Sequence, residues 1–125
     1  MSQSVMQLVA EAKAAVPAIT PAEVMAMDAG AVLIVDVRED REVAASGKAA
    51  GAVHASRGTI EFKADPALPS HDPAFAMDKM IVLYCASGGR SALAGKALAD
   101  LGYTNVRNLG GFKDWVEAGG AIEKD

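Results

Sequence analysis

The chain has 125 residues, 51% of them hydrophobic, and a formal net charge of −4 from 12 basic and 16 acidic side chains. That length suits one domain with its own core, and that hydrophobic share excludes a disordered chain. The acidic balance, with no Lys/Arg run, argues against a nucleic-acid or anionic-membrane partner, and a single cysteine excludes an intramolecular disulfide or a multi-cysteine metal site.

The first residues lack the basic start of a secretory signal, and Glu11 and Lys13 interrupt the apolar stretch. No uncharged run approaches the roughly 18 residues of a bilayer span. A cytoplasmic protein with a reduced thiol is the expectation. Residues 4–15 predict a helix with Val5, Leu8, Val9 and Ala12 on one stripe, ended by Pro17. Residues 1–17 are therefore expected to form a helical extension, and 18–125 the main domain. Thr20-Pro21-Ala22-Glu23 is a helix start, with an N-cap hydroxyl, proline at the first position and an acid three residues on; Gly30 closes that helix.

The apolar run Val32-Leu33-Ile34-Val35 predicts a strand buried on both faces. Asp36 to Asp40 leads into a short charged helix ending near Ser46. Gly47 to Gly51 reads as a loop, residues 52–55 as a short strand, and 57–79, with Pro66, Pro69 and Pro73, as helical turns and loops. Met80 to Tyr84 is a second strong strand. Residues 91–101 follow as a helix that Gly102 terminates. Val106 to Leu109 is a third strand, Gly110-Gly111 a turn, and 112–118 a last helix stopped by Gly119-Gly120. Strands alternating with helices indicate an α/β fold: one domain, a mostly parallel sheet, helices on both faces.

Cys85 stands at the carboxyl end of the second strong strand, the edge where open α/β sheets bind ligands. The loop Ala86-Ser87-Gly88-Gly89 leads to Arg90 and Ser91 and opens a helix. Two glycines allow a turn that points successive N–H groups inward, and the helix start adds its own free N–H groups. A thiol held there should ionise readily. Lowering a thiol from about 8.5 to about 7 takes roughly 2 kcal/mol, whereas a helix N-terminus supplies about 0.3–1 kcal/mol. Direct N–H···S contacts or Arg90 must provide the remainder. Related motifs fail on spacing. Gly95-Lys96 lacks the other parts of a Walker A loop, and the cysteine phosphatase loop is Cys-x5-Arg, whereas Arg90 comes one position early. One residue fewer removes up to about 3.5 Å of contour, which suits a sulfur atom better than a tetrahedral phosphate.

From about Ile19 to Glu123 the sequence resembles the single-domain rhodanese (thiosulfate sulfurtransferase) family. The resemblance rests on four segments in order: Ile34 to Glu39 with its Asp-x-Arg, Gly51 to Gly58, the loop Cys85 to Ser91, and Leu109 to Trp115 with Gly-Gly-Phe-x-x-Trp. It implies a rhodanese-like domain in which Cys85 takes sulfane sulfur from thiosulfate or a persulfide donor and passes it to cyanide or a thiol, a protein thiol included. The loop Ala86, Ser87, Gly88, Gly89, Arg90 and Ser91 would hold the sulfur. No metal or organic cofactor is implied. A dianionic donor on an acidic protein needs a local cation. Arg90 and Arg57 are the candidates, with Ala86 standing where relatives often carry Arg or Tyr. Asp36 and Arg38 read as structural support, His54 as a hydrogen-bonding loop residue, His71 as exposed, and Phe112 and Trp115 as core anchors. An alternative is a non-enzymatic sulfur-carrier or regulatory module acting with a protein partner. A phosphatase or arsenate reductase is a third reading, which the short loop disfavours.

Overall fold

The computed structural model describes residues 2–124; Met1 and Asp125, the outer ends of the expected extension and domain, lie outside the described residues. Four strands form a parallel sheet in the order β3-β1-β4-β5, with β1 Val32–Asp36, β3 Val53–His54, β4 Met80–Cys85 and β5 Val106–Gly111. Both central strands are apolar runs because both faces are covered. The period-2 alternation of β4 then sorts its side chains. Ile81, Leu83 and Cys85 join one core cluster with Leu33, Val35, Phe75, Leu98 and Tyr103. Val82 and Tyr84 join the other with Ile19, Val24, Leu109 and Trp115.

The helices are α1 Val5–Ala15, α2 Pro21–Met25, α3 Asp40–Ser46, α4 Ile60–Ala64, α5 Gly89–Asp100 and α6 Phe112–Glu117. The Thr20 start is a capping box: Glu23 N–H donates to Thr20 Oγ1 at 3.1 Å, and Thr20 N–H to Glu23 Oε1 at 3.0 Å. The helix it opens ends at Met25, ahead of a 3-10 turn at Ala29–Ala31, so Gly30 lies in that turn instead of closing the helix.

The N-terminal helix departs from its expected stripe. Ala12 is fully buried, but Val5 and Leu8 are exposed. The chain beyond α1 runs beside β5, where Asn108 N–H donates to Pro17 O at 2.8 Å and Ile19 N–H to Asn108 O at 3.1 Å. A Cβ on Gly95 of α5 would stand 3.0 Å from both Val16 methyls, so this glycine admits Val16. The Gly47 to Gly51 stretch is not only loop: β2, Lys48–Ala49, pairs antiparallel with β6, Ile122–Glu123. The third strand runs on through Gly111, with a register shift that pairs Leu83 with Asn108 and Tyr84 with Gly110, leaving Leu109 as the extra residue of a bulge.

Candidate active site

Cys85 ends β4 on the α5 face, and the chain turns at once into the loop. Gly88, at φ +100°, is the N-cap of α5, a left-handed conformation that favours glycine. This turn aims the Gly88 N–H at Cys85 Sγ, 3.0 Å away. Ser91 Oγ lies 3.5 Å from the sulfur. The residue is only 1% exposed, so water competes little for these contacts. Burial raises the thiol pKa, but hydrogen bonds from the Ser91 hydroxyl and from the Ser91, Ser87 and Gly88 N–H groups outweigh it, and the net direction is down. Ala86 and Ser87 form an exposed rim, whereas Gly88 and Ser91 are buried.

Arg90 is held chiefly by a carboxylate, with the Cys85 sulfur beside the same guanidinium. Its Nη1 and Nη2 donate to Glu42 Oε1 and Oε2 of α3 at 2.6 and 3.0 Å, a bidentate pair that pins the start of α5. Both side chains are about one-third exposed. The pair holds the Glu42 carboxyl down at about 2. Arg57 sits one strand over. Its N–H donates to Val37 O at 3.0 Å, beyond the end of β1, and its Nη1 donates to Glu61 Oε1 at 2.7 Å.

Asp36 and Arg38 form a buried pair under the other face of the same edge. Arg38 Nη2 meets Asp36 Oδ2 at 2.7 Å and Gly47 O at 2.7 Å, while Nη1 donates to Ser46 Oγ at 2.9 Å. Tyr84, the neighbour of Cys85, donates its hydroxyl to Asp36 Oδ2 at 2.6 Å and accepts from Ala49 N–H at 2.9 Å. Arg38 also stacks over the Phe112 ring at 4.3 Å. The network ties β1, β2, β4 and α6 together directly behind Cys85. His54 Nε2 donates to Arg38 O at 2.7 Å, and its Nδ1 lies 3.6 Å from Asp40 Oδ1. His71, expected to be exposed, is half-buried with Nε2 at 3.2 Å from Phe75 O. Trp115 is buried and Phe112 partly so.

Sequence reasoning missed the groups that hold the loop in place. Asn108 is buried and touches two parts of it and its own strand: Oδ1 accepts from Ser91 Oγ at 2.8 Å and from Gly110 N–H of β5 at 3.0 Å, and Nδ2 donates to Gly88 O at 3.2 Å. Its signal was an amide between the apolar Val106 and Leu109 of β5, beside the charged Arg107. Gly111 is the seat: a Cβ there would lie 2.5 Å from Ala86 O. Glu42 gave only the signal of one acid among several. Among the described residues no group of His, Cys, Asp and Glu is placed to hold a metal ion.

Residues 20–118 match the model of the rhodanese-like domain family. The chain belongs to that family. This rhodanese-like domain is similar to a Rhodopseudomonas palustris protein of unknown function described as a possible tyrosine phosphatase, at 39% identity and TM-score 0.89, over 98% of this chain and 96% of that one. It is similar to a rhodanese-related protein from Thermoplasma volcanium at 27% identity, TM-score 0.70, 87% and 99% coverage. It is also similar to the human single-domain sulfurtransferase TSTD1 at 28% identity, TM-score 0.67, 81% and 96% coverage. No curated protein matches the chain. Among the described residues no helix is long and apolar enough to cross a membrane.

Proposed function

We propose that this rhodanese-like domain is a sulfurtransferase that carries sulfane sulfur as a persulfide on Cys85. The observation that supports this most is the Gly88 N–H 3.0 Å from Sγ in a site 1% exposed, where a sulfur anion is held by fixed dipoles. The likeness to a human sulfurtransferase adds to it. In the first half-reaction the Cys85 thiolate attacks the outer sulfur of thiosulfate. The S–S bond of the donor breaks, and sulfite leaves with the electron pair. The products are the Cys85 persulfide anion and sulfite, so charge and atoms balance. In the second half-reaction a thiolate or cyanide attacks that outer sulfur, and Cys85 departs as thiolate. A protein persulfide can replace thiosulfate as donor in the same scheme. No general base is required once the thiol is ionised. Arg57 is the cation we assign to a dianionic donor, because Arg90 is occupied by Glu42.

Intact mass after incubation with thiosulfate tests the reaction class. The parent chain gains one sulfur and Cys85→Ser gains none; an unchanged parent mass refutes the proposal. Release of thiocyanate on adding cyanide separates an enzyme from a carrier module, which loads but does not turn over with the small acceptor. The phosphatase reading is favoured by the description of the Rhodopseudomonas palustris relative. Against it, Arg90 lies five residues after Cys85 and is held on Glu42. Hydrolysis of an aryl phosphate dependent on Cys85 would establish that reading instead.

A further inference from the structure

The amide of Asn108 cannot be turned over. Its oxygen faces the Gly110 N–H at 3.0 Å and its nitrogen faces the Gly88 carbonyl at 3.2 Å, so a flip would set donor against donor and acceptor against acceptor. The atom 2.8 Å from Ser91 Oγ is therefore an acceptor only, and the single Ser91 hydroxyl proton points at it. The same proton cannot at once be donated to the Cys85 sulfur, 3.5 Å from Oγ. In this arrangement the thiol donates to Ser91 Oγ, and Ser91 donates to Asn108. A thiolate has no proton to give, so the hydroxyl must rotate to donate to it and must leave Asn108.

We propose that Asn108 is a positioning residue that competes with the Cys85 sulfur for the Ser91 hydroxyl proton, holding it while Cys85 is a thiol and releasing it when Cys85 ionises. On release Asn108 Oδ1 gives up one of its two hydrogen bonds and keeps only Gly110 N–H, and that lost bond is what opposes ionisation of Cys85. When the sulfur carries its cargo, the negative charge sits on the outer atom and the proton returns to Asn108. The relay thus couples the hydrogen-bonding state of the loop to the charge on Sγ. It rests on Cys85 being the sulfur-handling nucleophile. The charged groups around it are Arg90 of α5 with Glu42 of α3, Asp36 and Arg38 at the end of β1, Arg57 with Glu61 beyond Val37, and Asp114, which accepts from Gly111 N–H at 3.1 Å. None of these donates to Ser91 Oγ among the described residues.

A brace and a competitor give opposite signs. If Asn108 only braces the loop, Asn108→Leu frees Gly88, loosens its N–H···S contact and raises the Cys85 midpoint. If it competes for the proton, the same variant leaves Ser91 free to donate to sulfur, and the midpoint falls by about 0.5–1 pH unit. Ultraviolet thiolate absorbance reads this directly because the chain has one cysteine. Ser91→Ala should raise the midpoint, and Asn108→Leu added to Ser91→Ala should then lower it no further. A rise or no change in Asn108→Leu, or an equal fall in both backgrounds, overturns the proposal. A measurement on the parent chain guards against a variant that does not fold. The Gly110 amide resonance, whose proton shares Asn108 Oδ1, should move with the Cys85 midpoint and stop moving in Ser91→Ala; a Gly110 signal blind to Cys85 ionisation overturns it too. The titration uses no sulfur donor, so its outcome is independent of whether thiosulfate loads the protein.

Discussion

At the scale of single residues, the proposed choice of cation for a sulfur donor turns on who already holds each arginine. The Arg90 guanidinium donates twice to Glu42, whereas Arg57, ahead of α4, donates once to Glu61 within that helix. A half-exposed i,i+4 pair such as Arg57–Glu61 is worth only about 0.3–0.5 kcal/mol, so a dianion can displace it. Arg57→Ala is therefore expected to raise the thiosulfate KM by several-fold, about 1 kcal/mol, with a smaller change in kcat. Glu61→Gln should shift KM the other way by freeing the guanidinium. Steady-state kinetics on the two variants checks both signs, and an unmoved KM in both removes Arg57 from the donor site.

At the scale of elements, the loop is a surface-bound strap whose seat is the end of β5. Ala86 O stands where a Gly111 side chain would go, and both partners are backbone, so neither can swing away. Gly111→Ala should push the loop off β5, with a stability loss of about 1–3 kcal/mol in urea unfolding and slower persulfide formation. Gly58→Ala, where an added Cβ meets nothing, is the control that should do neither. This element also shows how far the sequence could be followed. Val32 to Val35, Met80 to Tyr84 and the helix after Cys85 were legible because long apolar runs and helical spacing report burial directly. The last two residues of β5 were not, since glycines carry no pattern and the bulge at Leu109 is set by pairing with β4. The two-residue β2–β6 pair was equally silent: residues 48–49 and 122–123 meet only because the folded chain brings Lys48 and Glu123 to 2.7 Å. Cys85 and its loop were legible from local order, but Asn108 and Glu42 act on that loop from 17 or more residues away, and no local spacing announces them.

At the scale of the whole molecule, α3 and α5 are clasped across the active edge by Glu42 and Arg90, and the clasp gives folding a pH dependence of definite sign. The Arg90 hydrogen bond holds the Glu42 carboxyl at about 2, below an unfolded value near 4.3. A depressed folded value means that the unfolded chain takes up the proton first. The stabilisation is therefore complete above about pH 5, declines as pH falls, and is gone once pH drops below the folded value. Partial exposure of both side chains reduces its size to about 1–2 kcal/mol. Cys85 acts at the other end of the scale. Its folded value is also depressed, although burial opposes this and the hydrogen bonds from Ser91, Ser87 and Gly88 prevail. Its contribution is absent at low pH, appears as pH rises through the folded value, and is complete above the ordinary thiol range. The two groups are separable by variant. Glu42→Gln should unfold more easily than the parent at pH 6, with the gap narrowing as pH is lowered toward 3. Cys85→Ser should lose only the alkaline component. Urea midpoints for the three chains from pH 3 to above the ordinary thiol range give the answer: a Glu42→Gln gap that stays constant down to pH 3 would mean that the clasp carries no charge-dependent stability and that α3 holds the loop by packing alone.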